Sequence, residues 1–145
     1  RGAMASLLAA ANDPRVRSTV ALSPPTDHVR WVRGLREYAP SRYAQMVKSH
    51  GGSPEDAAQY YREISPVTYA DQIKMPVLLI HGTIDLTAPH DHSQWMYEAL
   101  VKAGNTRARL ELLPGLGHFF EQRFQGYRYG RVVELAPDWF ADTLK

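Results

Sequence analysis

The sequence has 145 residues, no cysteine, 44% apolar side chains and 17 basic against 15 acidic residues, a formal charge of +2. That length can bury one core, the composition is that of a globular chain rather than a disordered or repetitive one, and so small a basic excess implies no nucleic-acid surface. Without cysteine there are no disulfides, thiolate metal sites or cysteine nucleophile, and no apolar run approaches the roughly 18 residues of a membrane helix. A soluble chain with no membrane partner is expected, its compartment open with the cytoplasm slightly preferred.

The elements alternate. Ala3, Met4, Leu7, Leu8 and Ala11 form one helical stripe that ends at Asn12-Asp13-Pro14. A β-prone run, Ser18 to Ser23, follows and is closed by Pro24-Pro25. From residue 26 to about 63, aromatic side chains are interleaved with Arg, Glu and Gln, and Gly51-Gly52-Ser53-Pro54 divides the stretch, which predicts two or three helices inserted outside a sheet. Ser53 is placed to cap a helix with Pro54 at its first position and Asp56 completing a capping box, the helix running to about Glu63.

Pro76 to Gly82 has no polar alternation, as a central parallel strand requires. Ser93 to Ala103 is helical, with Gly104 as its stop, and Arg107 to Leu113 alternates like an edge strand. Val132 to Leu144 repeats at helical spacing around Pro137, which is expected to set the helix start or a kink. Alternating strands and helices predict an α/β fold with a parallel sheet covered on both faces, and such sheets carry their ligands at the carboxyl ends of the strands.

Two loops leave that edge: His81-Gly82-Thr83-Ile84-Asp85, and Pro114-Gly115-Leu116-Gly117-His118. A buried carboxylate that accepts the Nδ1 proton of an imidazole leaves Nε2 free to take a hydroxyl proton. Gly115 and Gly117 permit the tight backbone that would present His118.

The stretch from Ile64-Ser65-Pro66 through Met75-Pro76-Val77-Leu78-Leu79-Ile80-His81-Gly82-Thr83-Ile84-Asp85, with Met96-Tyr97-Glu98-Ala99-Leu100 beyond it, resembles the prolyl-oligopeptidase family of α/β-hydrolases, and the resemblance extends over essentially the whole chain. It implies the α/β-hydrolase fold, with residues 1–145 as the C-terminal half of one catalytic domain, a mostly parallel sheet flanked by helices with a helical insertion at about 26–63. It assigns the acid to Asp85 and the base to His118. Arg1-Gly2 resembles the end of the G-x-S-x-G elbow, so the nucleophilic serine is expected immediately before Arg1, with the Arg1 backbone N–H as an oxyanion donor. The first strands of the sheet and the nucleophile then lie outside these 145 residues, which are expected to be inactive by themselves.

The implied reaction is cleavage of a small peptide or ester substrate through an acyl-serine, with no cofactor. A carboxylesterase of the same fold is an alternative, and a non-catalytic half-domain that binds a partner, the missing half or another copy of itself, is a reading of a different class. Trp31, Tyr60 and Tyr61 are candidates for substrate contact. His90-Asp91-His92 lacks the spacing of a metal site and is read as a first helical turn; His81 is expected to orient the acid loop, and His28 and His50 to lie on the surface. Arg30, Arg33 and Arg36 read as a solvated helix face, and Phe119 and Phe120 as packing for the histidine loop.

Overall fold

The computed structural model describes residues 2–120 and 127–145. Its chain order is α1 (Gly2–Asn12), β1 (Thr19–Leu22), α2 (His28–Tyr38), α3 (Pro40–Ser49), α4 (Ala58–Glu63), a 3-10 segment over Pro66–Gln72, β2 (Val77–Gly82), α5 (Asp91–Lys102), β3 (Ala108–Leu113) and α6 (Tyr127–Thr143). The three strands form one sheet in the order β1-β2-β3, paired in parallel throughout, with Leu22 opposite Ile80 and Gly82 opposite Leu113. All three therefore end at one edge, where the loops carrying Ser23, Asp85 and His118 emerge.

β2 is buried along its whole length, and its side chains serve the two faces alternately. Val77 and Leu79 pack with Leu7 and Ala10 of α1 and with Met96 and Leu100 of α5. Leu78 and Ile80 pack on the other face with Leu113, Leu116, Phe120, and Val132 and Leu135 of α6. This sandwiching explains why β2 lacks polar alternation, whereas β3, at the edge, is half-exposed over most of its length. Asn105 stitches the opposite end, donating to the carbonyls of Ile73 at 2.9 Å and Met75 at 3.0 Å.

The insertion comprises α2, α3 and α4 and has its own core of Trp31, Val32, Leu35 and Tyr61, which also takes in Ala88 from the loop after β2. Asp27 caps α2 by accepting from the Arg30 N–H at 3.0 Å. The expected box at Ser53 forms in part: Ser53 Oγ accepts from Asp56 N–H at 3.2 Å and Asp56 Oδ2 from Ser53 N–H at 3.3 Å. The α-helix nevertheless begins only at Ala58, because Ala57, at φ −116° and ψ 38°, departs from helical geometry. Pro137 lies inside α6 rather than at its start, since Val132 and Leu135 upstream of it are held against the sheet. Among the described residues no helix is long and apolar enough to cross a membrane.

Candidate active site

Asp85 follows β2 by three residues, and its side chain is fully buried. Oδ1 accepts from the backbone N–H of Thr87 at 2.7 Å and of Ala88 at 2.9 Å. The first of these is an Asx-turn, in which an Asp side chain replaces a backbone carbonyl two residues before its donor. Oδ2 lies 2.7 Å from His118 Nδ1 and 3.1 Å from His81 Nε2. Burial pushes the Asp85 carboxyl up, but these bonds from His118, His81, Ala88 and Thr87 outweigh it and hold the carboxyl well below the usual carboxylate range. Asp85 is thus an anion at neutral pH, and the His118 nitrogen facing it is the one that carries a hydrogen.

The two loops hold each other in place. Thr83 N–H donates to Leu113 O at 3.1 Å, Ile84 N–H to Leu116 O at 3.0 Å and Gly115 N–H to Thr83 Oγ1 at 3.0 Å. Gly115, at φ 70°, takes the left-handed turn expected of it; Gly117 has no positive φ. Gly82 is required for another reason: a Cβ there would stand 2.1 Å from Leu116 O. Sequence reading passed over this contact, although a glycine ending a buried strand signals close backbone approach. His118 is a quarter exposed at its side chain, and Phe119 meets its ring edge-on at 5.1 Å. Phe120 packs in the core beneath, as expected of it, whereas Phe119 is 69% exposed.

A cavity of about 790 Å³ opens on this edge and is lined by His118, by Gly2 at the start of α1, and by Trp31, Met46 and Tyr60 of the insertion. Of the three aromatic candidates, Trp31 and Tyr60 line it and Tyr61 does not. Tyr61 is wholly buried and donates its hydroxyl hydrogen to Gly52 O at 3.0 Å, so it packs the insertion rather than facing a ligand. Trp31 also donates its indole N–H to Thr87 O at 3.0 Å, tying α2 to the turn that grips Asp85. Arg1 lies outside the described residues.

His28 departs from its expected surface position. It is 4% exposed, with its backbone N–H on Ser65 Oγ at 2.8 Å. His92 is 1% exposed, and its Nδ1 accepts from the N–H groups of Thr26 and Asp27, each at 3.3 Å, which commits the ring to tying α5 to the loop after β1. Among the described residues no group of three His, Asp or Glu side chains is placed to hold a metal. Arg33 and Arg36 pair with Glu55 on an exposed face, and Arg30 with Asp27.

Burial and the neighbouring His50 push His28 down from 6.5 to about 4, and burial, then His81 and His28, push His92 down to about 3. Both rings bind protons more readily unfolded than folded, so their contribution to stability is complete above about pH 6.5 and is lost as pH falls through 4. At ~1.4 kcal/mol per unit, a loss of several kcal/mol is expected between pH 7 and 4. Urea midpoints of the full-length protein across that range test this, and a flat profile would show that neither ring is buried uncharged.

A parallel sheet with helices on both faces and an Asp–His pair on adjacent loops at its carboxyl edge defines an α/β-hydrolase fold. The prolyl oligopeptidase family model matches residues 1–145, and the chain belongs to that family. It is 32% identical over 98 residues to dipeptidyl aminopeptidase BIII of Pseudoxanthomonas mexicana, an alignment covering 67% of this chain and 14% of that protein. It superposes on the acylaminoacyl peptidase of Pyrococcus horikoshii with a TM-score of 0.85 at 20% identity, covering 99% of this chain and 23% of that one. With a puromycin-hydrolyzing peptidase of Mycobacterium tuberculosis the TM-score is 0.83 at 21% identity, over 99% of this chain and 20% of that one. The 145 residues thus span under a quarter of the length of each of these relatives.

Proposed function

We propose that the protein to which this chain contributes is a serine peptidase that cleaves its substrate through an acyl-serine intermediate. The observation that carries this is His118 Nδ1 at 2.7 Å from a fully buried, ionised Asp85, with the ring on a cavity that the start of α1 also lines. His118 takes the serine proton at Nε2 as general base and returns it to the leaving amine as general acid, and Asp85 fixes the ring and stabilises its cationic form. The nucleophile is the serine directly preceding Arg1, where a strand-to-helix elbow would aim its Oγ at the cavity. The Arg1 N–H donates to the oxyanion. Trp31 and Tyr60, which line the cavity beside His118, contact the substrate. The peptidase names of the relatives favour a peptide bond over the ester of the carboxylesterase reading.

A fluorophosphonate, which reacts only with an activated serine, tests this on the full-length protein. Labelling is expected on the residue before Arg1 and is lost in His118→Ala, while the 145-residue chain by itself takes no label. Labelling of a serine within these residues, or labelling indifferent to His118, overturns the assignment. An unlabelled full-length protein would instead favour a binding or assembly module.

A further inference from the structure

Directly beneath the Asp85–His118 pair lies a second imidazole that the reaction just described leaves unused. His81 is fully buried at the end of β2. Its Nε2 faces two acceptors, Asp85 Oδ2 at 3.1 Å and Ala88 O at 2.9 Å. Its Nδ1 lies 2.7 Å from the hydroxyl of Ser93, a residue of α5 that is also fully buried. In the neutral ring the nitrogen facing two acceptors carries the hydrogen, so Nδ1 accepts and Ser93 donates. With the opposite tautomer a lone pair would oppose both the carboxylate and the Ala88 carbonyl, and those two acceptors are what disfavour that arrangement. An apolar side chain would fill the same space without hydrogen-bonding obligations. What the imidazole adds is a donor on the very oxygen that His118 uses.

We propose that His81, held in its Nε2–H tautomer by Asp85 and the Ala88 carbonyl and braced at Nδ1 by the Ser93 hydroxyl, is a positioning residue for the acid–base pair. It fixes the plane of the Asp85 carboxylate and draws charge from Oδ2, limiting how strongly that oxygen stabilises protonated His118. This rests on the serine-hydrolase reading above. His81 does not line the cavity, so it acts on turnover rather than on substrate binding. Tyr38 of α2 and His92 of α5 also lie within the field of the Asp85 charge, while Arg42 of α3 reaches Thr87 O at 3.3 Å. Tyr38 is pushed up by desolvation and His92 is pushed down to about 3, so both stay neutral across the working range.

The experiment is the pH profile of kcat/KM for the full-length enzyme on a chromogenic aminoacyl substrate. In His81→Met the lost donor concentrates charge on Oδ2. The acid limb is expected to move to higher pH by about half a unit to one unit, with kcat down on the order of tenfold and KM unchanged. His81→Gln, which can keep an N–H near Asp85, recovers most of both. Ser93→Ala, a smaller change that guards against misfolding, moves the limb in the same direction by less. The proposal is overturned by a limb that stays in place in folded His81→Met and Ser93→Ala, or by a glutamine variant as impaired as the methionine one. If fluorophosphonate labelling were indifferent to His118, the hydrolase reading itself would fall; a His118-dependent enzyme indifferent to His81 sinks only this inference.

Discussion

Asp85→Asn in the full-length protein is expected to lower kcat about 10⁴-fold with little change in fold. The amide has one acceptor where the carboxylate has two, and the structure dictates how it must sit. The N–H groups of Thr87 and Ala88 both point at the Oδ1 position, so the amide oxygen occupies that place. The NH2 group then stands where Oδ2 was, facing His118 Nδ1 and His81 Nε2, both of which present hydrogens. Donors oppose donors, and His118 relieves the clash by moving its hydrogen to Nε2. A ring protonated there cannot accept the hydroxyl proton. Steady-state kinetics beside a denaturation curve separate this from unfolding: native-like stability with kcat reduced less than about a hundredfold would mean that Asp85 is not the partner that sets the tautomer.

The sheet was legible because its physics is local. Pro76 to Gly82 is apolar at every position but His81, and a strand buried on both faces by α1, α5 and α6 needs that pattern. Once the strands are placed, the loops after β2 and β3 must share an edge, so the meeting of Asp85 with His118 follows from topology more than from any mark on the residues. The insertion was legible only in outline. Tyr60 and Tyr61 are adjacent in sequence and chemically the same, yet one lines the cavity and the other is buried against Gly52; only the direction in which α4 presents each separates them. His28 read as a surface residue for a similar reason: the packing that buries it comes from Trp31 beside it and from Ser65, far along the chain.

What Gly82 approaches is set only when the loop after β3 is in place, and Gly82→Ala is expected to be among the most damaging single changes in the chain. Parallel strands set β2 and β3 side by side, with Gly82 opposite Leu113. Immediately beyond, the loop that carries His118 turns back across the end of β2. It comes so close that an alanine Cβ at 82 would stand 2.1 Å from Leu116 O and 2.8 Å from Gly117 O. Both atoms are backbone, so no side chain can rotate away and the whole loop must retreat. That retreat breaks the Ile84 N–H bond to Leu116 O and strains the neighbouring bond from Gly115 N–H to Thr83 Oγ1. It also lifts Leu116 from its place against Leu78 and Ile80. Overpacking with broken bonds is expected to cost about 3 kcal/mol or more. Where the protein still folds, His118 is carried off Asp85, and a displacement near 1 Å is enough to lower kcat on the order of a hundredfold. Urea denaturation and kcat should therefore fall together. An alanine variant with wild-type stability and activity would mean that the His118 loop does not meet the end of β2 at Gly82, while full stability with lost activity would mean that the loop moves without a cost to the fold.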